Sequence, residues 1–274
     1  MMKILTALAL LLGLAAPSAD PILGVQLYSF RNEMKQDVEG TLAKVKQMGF
    51  TEVEVAGYPW KSAADFRAML DRHGLRAVSF FADYNKLRDD LPGVVADAKA
   101  LGVRYVIVGW IPHQKEFTLA DSDRAVAHFN DWGAKLAREG LRFAYHVHGY
   151  EFKPHGGGTL FDKFMAETKP EHVAIEMDVF WVAHPGQDPV KVLQKYGRRI
   201  ELMHMKDMQK GLKGDLTGHA DVETNVTIGS GSIDYPAVVR EARKAGVKYF
   251  FIEDESSRSL AQVPASKRYL MTLK

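Results

Sequence analysis

The chain has 274 residues, 46% of them hydrophobic and 26% charged, with 36 basic side chains against 34 acidic ones. That length suits one domain with a large core, and a net charge of only +2 excludes the strongly basic surface that nucleic-acid binding demands. With no cysteine, the chain has no disulfide scaffold, thiolate nucleophile or cysteine-rich zinc site.

Residues 1–19 read as a secretory signal peptide. Met1-Met2-Lys3 is a short positive start, Ile4 to Ala16 is apolar and uncharged, and small residues lead to Asp20. The apolar run is shorter than the ~20 residues that a membrane-spanning helix needs. The expectation is an exported, periplasmic protein with no membrane attachment after cleavage, and a single domain over residues 20–274.

From Ile22 onward, strand-like and helix-like segments alternate. Ile22 to Phe30 is apolar and aromatic, which predicts a strand, and Val38, Leu42, Val45 and Met48 recur at helical spacing until Gly49 stops the helix. Strands are predicted again over Thr51–Val55, Arg76–Phe81, Arg104–Trp110, Leu141–His148, Val173–Phe180, Ile200–Met205 and Lys248–Glu253. Helices fall over Ala63–His73, Leu91–Leu101, Ser122–Arg138, Thr159–Thr168, Val190–Tyr196 and Tyr235–Ala245. Eight strands in repeated helix–Gly–strand units predict a (β/α)8 TIM barrel, whose usual size is ~250 residues. An open doubly wound sheet would carry a glycine-rich turn after its first strand, whereas this one runs into Tyr28-Ser29-Phe30-Arg31.

Barrel chemistry belongs at the C-terminal strand ends. The fifth predicted strand ends with His146 and His148, two apart and so on one face, with Glu151 just beyond. The sixth ends Glu176-Met177-Asp178, the seventh His204-Met205-Lys206-Asp207 and the eighth Ile252-Glu253-Asp254-Glu255. A single such residue is usually solvated, but four loaded strand ends concentrate more carboxylates than an interior tolerates without a cation. The mixed N/O set predicts one divalent metal ion: Mn, Co, Zn or Mg.

Several segments carry a family resemblance: Gly24-Val25-Gln26-Leu27-Tyr28-Ser29, Tyr145-His146-Val147-His148 with Glu151-Phe152, Met177-Asp178 with Phe180-Trp181-Val182, His204-Met205-Lys206-Asp207, and Gly231-Ser232-Ile233-Asp234-Tyr235. Together they resemble the secreted branch of the sugar phosphate isomerase/epimerases, a family of xylose isomerase-like barrels. The resemblance implies Glu151, Asp178, His204 and Glu253 as metal ligands, with Glu151 and Glu253 also serving as acid/base groups. His146 or His148 is the alternative to Glu151, and Glu255 the alternative to Glu253. Lys206 and His148 would assist proton transfer, and His146 would bind substrate. Trp110, His113, Trp181 and His184 are candidates to line the sugar pocket.

The expected function is a metal-dependent sugar isomerase/epimerase that abstracts a proton next to a carbonyl. Export favours an unphosphorylated sugar or keto-sugar. Elimination on a 3-keto-glycoside is the alternative outcome at the same site. A non-catalytic periplasmic sugar-binding protein is a rival of another class, and an abasic-site endonuclease would need a basic groove that is not evident. The expected partner is a small sugar, with an oligomer possible.

Overall fold

The computed structural model describes residues 20–56 and 62–273. The expected signal peptide lies outside them. Eight parallel strands close into a barrel in chain order. They are β1 (Ile22–Gln26), β2 (Glu52–Ala56), β3 (Arg76–Phe81), β4 (Tyr105–Val108), β5 (Arg142–His146), β6 (Val173–Asp178), β7 (Ile200–Met205) and β8 (Tyr249–Ile252). β8 pairs back onto β1, Ile22 opposite Tyr249 and Val25 opposite Ile252. The barrel prediction from alternating elements is therefore met.

The main helices are α1 (Val38–Gln47), α2 (Ala63–Arg72), α3 (Leu91–Leu101), α4 (Leu119–Arg138), α5 (Leu160–Glu167), α6 (Pro189–Tyr196), α7 (Tyr235–Ala245) and α8 (Ser259–Leu270). α4 shows how the sequence sets them. Thr118 and Asp121 form a reciprocal capping box at its start, and Ser122, Ala125, Phe129, Trp132 and Leu136 make one buried stripe. Each large apolar side chain so buried contributes roughly 1.5–3 kcal/mol. Gly102 closes α3 at φ 71°, in the left-handed region open to glycine. Among the described residues no helix is long and apolar enough to cross a membrane.

Several predicted strands are shorter in the structure, the first and the sixth for the same reason. The first stops at Gln26, whose side chain accepts from Tyr28 N and turns Leu27–Phe30 into a 3-10 helix. The sixth stops at Asp178, which caps a short helix over Val179–Ala183. α8 carries Pro264 in its interior and no glycine stop, which is why helical patterning did not reveal it.

Small and branched side chains fill the barrel: Val78, Ile107, Ala144, Ala174, Leu202 and Phe251 form an apolar plug. Gly24 belongs to this packing, because a Cβ there would lie 2.7 Å from the Phe251 ring. Below the plug, Glu201 accepts from Tyr105 Oη at 2.8 Å and from Arg142 Nε at 3.0 Å. Above it, the inward positions turn polar, and the site begins there.

Candidate metal centre

The residues above the plug come from β2, β5, β6, β7 and the segment after β8. Glu54, Glu176, Asp178, His146, His204 and Glu253 are all buried. Two histidines organise them. His146 Nδ1 lies 3.0 Å from Glu176 Oε2, and its Nε2 lies 3.9 Å from Asp178 Oδ2. His204 Nε2 contacts Glu54 Oε1, while its Nδ1 lies 3.2 Å from Glu253 Oε2 and 3.9 Å from Asp178 Oδ2.

Each imidazole thus has one nitrogen against a deep carboxylate and the other aimed at Asp178. Metal-binding histidines are commonly held this way, the second N–H donated to a carboxylate that fixes tautomer and ring orientation. Glu54 is itself anchored by Gln26 Nε2 at 2.8 Å and by the Ser79 hydroxyl. Asp178 completes the arrangement. Its Oδ1 accepts from Phe180 N at 2.8 Å and Trp181 N at 3.1 Å, whereas the buried Oδ2 has no hydrogen-bond partner among the described residues.

The electrostatics of the bare cluster are those of a cation site. Burial pushes Asp178 up to about 7, with Lys206 and His204 pulling the other way. Burial, then the neighbouring Glu54, raises Glu176 well above the carboxylate range. Burial would lower His204, but Glu176, Glu253 and Glu54 outweigh it and hold the imidazole well above its usual value. A proton on His204 therefore compensates carboxylates that a divalent ion would neutralise, so metal binding should displace protons. The residues fit such an ion: one donor atom each of His146, Asp178 and His204 lies within 4.8 Å of the others, as do those of Glu54, Glu176 and His204, and Glu253 Oε2 stands 3.2 Å from His204 Nδ1; mixed N/O donors suit first-row divalent metals.

Lys206 packs beside this cluster, fully buried, with Nζ 3.2 Å from Glu253 Oε2 and in contact with Glu255 Oε1. It also lies 5.4 Å from the Phe180 ring and 5.6 Å from Trp181. Burial would lower its pKa, but Glu253, Glu255 and Asp178 raise it, so the ammonium stays charged. For Glu253, burial would raise the pKa, and Lys206 and His204 overcome it, holding the carboxyl well below its usual range.

The structure does not bring Glu151 into the cluster. Its Oε1 accepts from Tyr145 Oη at 2.8 Å and from His148 N at 2.9 Å, tying it to the outer side of β5. Burial pushes this carboxyl up to about 7. His146 occupies the position by the metal set that the resemblance assigned to Glu151. Glu253, rather than Glu255, faces His204, and Glu255 instead pairs with Lys206.

A cavity of about 1060 Å³ opens above the cluster, with His146, His204 and Glu253 among its walls. Of the candidates for the pocket wall, Trp110 and Trp181 line it; His148 lines it too and stacks on Trp181 at 4.5 Å. Burial lowers the His148 pKa to about 3, so this imidazole is neutral. His113 and His184 stand behind the wall. His113 stacks on Trp110 at 4.9 Å, and His184 stacks on Phe180 while its Nδ1 accepts from Asp215 N at 3.4 Å. Two further residues at this site carry no clear signal in the sequence. Glu54 was hidden in the strand alternation Glu52-Val53-Glu54, and His219 lies in the long excursion after β7, where it packs on Trp110 at 5.2 Å.

Comparison with known proteins agrees with this fold. The rhizopine catabolism protein MocC of Rhizobium meliloti is 27% identical over 241 residues, covering 78% of this chain and 73% of that protein. An inosose dehydratase of Geobacillus kaustophilus is 24% identical over 201 residues, a match covering 61% of each chain and so less than two thirds of that relative. Among solved structures, a sugar phosphate isomerase/epimerase from Parabacteroides distasonis superposes with a TM-score of 0.76 at 25% identity, covering 92% of this chain and 99% of that one. The IOLI protein with a binding zinc atom shares the fold at a TM-score of 0.72 and 16% identity, covering 92% of this chain and 97% of that one. The family model of xylose isomerase-like TIM barrels matches residues 42–271, and the chain belongs to that family.

Proposed function

We propose that this protein is a divalent-metal-dependent enzyme that removes a proton next to the carbonyl of an unphosphorylated sugar or keto-sugar, as an isomerase or epimerase. The observation that carries the reading is the buried Asp178 Oδ2, which has no hydrogen-bond partner among the described residues and is faced by one nitrogen from each of two carboxylate-backed histidines. A divalent ion held by His146, Asp178, His204 and Glu253 would polarise a carbonyl and its neighbouring hydroxyl, which acidifies the adjacent C–H.

The chain's own groups supply the proton handling. Glu253 is kept ionised at the cavity edge, and the oxygen not facing His204 and Lys206 is placed to accept the C–H proton. Lys206, charged and shielded by Phe180 and Trp181, donates to substrate oxygen. Three strands round the barrel, neutral His148 orients a hydroxyl, and Glu151 holds the His148 backbone in place. Such acid–base help contributes roughly 10²–10⁴-fold.

A second reading, elimination, is favoured by a specific feature. Glu253, a wall residue of the cavity, is paired with the buried ammonium of Lys206 just behind it, which suits proton removal at one carbon and protonation of a departing oxygen at the next. The inosose dehydratases among the relatives support it. Proton NMR in D₂O with Mn²⁺ and a panel of free sugars, inososes and keto-glycosides tests both. Chelator-sensitive deuterium uptake beside a carbonyl is expected, and the product separates isomerisation, epimerisation and elimination. Chelator-insensitive binding without exchange would instead favour a sugar-binding protein, exported as the N-terminal sequence predicts.

A further inference from the structure

The cavity has two poles of opposite charge. Its floor is the acidic metal centre. Its rim includes Arg31 and Lys35, both from the segment that follows β1. The backbone is helical from Arg31 to Lys35, with Lys35 N donating to Arg31 O, so the two side chains share one helix face.

Neither cation has a carboxylate within ion-pair distance among the described residues. The Arg31 guanidinium is nevertheless held in place. Nη2 donates to Glu255 O at 2.7 Å, Nη1 to Tyr28 O at 3.3 Å, and the group lies 4.7 Å from the Tyr28 ring. Its Nε–H has no acceptor among those residues. Tyr28 itself is 41% exposed on the same wall. The acids that face this rim are otherwise engaged: Glu253 and Glu255 with Lys206, and Asp83 capping Lys86 N.

We infer that the substrate carries an anionic oxyacid group that Arg31 and Lys35 receive at the rim, about one sugar ring from the metal-binding end. The deduction rests on the proposed sugar chemistry for the identity of that end. The chain bounds the spacing: Arg31 Nη2 lies 2.7 Å from the carbonyl of Glu255, and two residues span at most ~7 Å from Glu253. A neutral sugar would leave both cations without an anionic partner among the described residues, whereas a planar guanidinium matches a carboxylate or phosphate. Export favours the carboxylate of an acidic sugar, and a phosphate shares the chemistry.

Calorimetric titration of the Mn²⁺-loaded full chain with D-glucuronate, D-glucose 6-phosphate and D-glucose, at low and high salt, tests this. One of the two anions should bind about tenfold tighter than glucose, and added salt should erode the advantage. Lys35→Glu, at an exposed position, should weaken that anion by about five- to tenfold without changing metal content or glucose binding. Arg31→Lys, which keeps the charge but loses the fork, should weaken it as well. Tighter binding by glucuronate supports a carboxylate, and tighter binding by the phosphate ester supports a phosphorylated substrate. Equal binding of all three sugars overturns the inference. So does an anion preference that survives Lys35→Glu, because the anion would then lie on the metal. Lack of deuterium exchange with every sugar would count against the proposed reaction and leave the anion preference, read from binding, intact.

Discussion

Glu54→Gln isolates the role of a carboxylate beneath the metal set. Glu54 accepts from Gln26, Ser79 and His204 Nε2, and this last contact directs His204 Nδ1 to the metal position. The amide keeps the shape but presents an NH₂ where Gln26 or Ser79 now donates, and it removes a negative charge next to a cation site. Loss of such a partner lowers metal affinity by roughly 10–100-fold, or about 1.4–2.7 kcal/mol. At fixed saturating metal the same energy disappears from the metal-induced stabilisation. In a domain of this size about 1 kcal/mol moves Tm by about 2–4 °C, so the metal-induced rise in Tm should shrink by about 3–10 °C. Titration calorimetry with Mn²⁺ and melts with and without chelator measure both quantities. An unchanged Kd together with an unchanged Tm increment would refute the argument that Glu54 sets the His204 tautomer.

Asp178→Asn keeps an oxygen for the caps to Phe180 and Trp181, so the chelator-treated variant should melt at or above the parent while metal affinity falls more than about 100-fold; a metal-binding isotherm like the parent's would contradict this. Lys206→Met leaves the buried Glu253, and the half-buried Glu255 beside it, without their cation and should cost about 3–5 kcal/mol in denaturant unfolding, with solvent exchange slowed by about 10²–10⁴-fold. Glu151→Gln should leave metal content unchanged, as read by elemental analysis. Burial raises Glu151 from 4.5 to about 7, so the fold favours its protonated form. That contribution is complete below about pH 4.5 and is lost as pH rises through about 7, so the variant should gain on the parent across this window in chelator-treated melts. A difference in Tm that is flat with pH would show that Glu151 is not the group responsible.

The barrel was legible because its signals are local. Apolar spacing in α1, α3 and α7, glycine at the helix ends and apolar runs between them need no tertiary knowledge. Asp178, His204 and Glu253 were legible for the same reason, as strand-end residues on inward positions. Glu54 was not, because Glu52 and Glu54 alternate like any half-exposed strand, and only barrel closure shows that Glu54 meets His204 from across the interior. Glu151 misled for a related reason. Proximity in sequence to His148 placed it at the rim, but the 3-10 turn over Tyr150–Phe152 swings its carboxylate back to Tyr145. His219 lies in an excursion where Gly218 comes so close to Tyr150 and Trp110 that a Cβ there would lie 2.7 Å from the Tyr150 ring, a proximity no local pattern announces.

The most direct test of the metal centre is X-ray absorption of the Zn²⁺-loaded protein, whose multiple-scattering features count imidazole ligands. Two imidazoles are predicted, from His146 and His204, falling to one in His146→Ala and unchanged in Glu151→Gln. A single imidazole in the parent, with the spectrum altered by Glu151→Gln, would contradict this ligand set and return Glu151 to the metal.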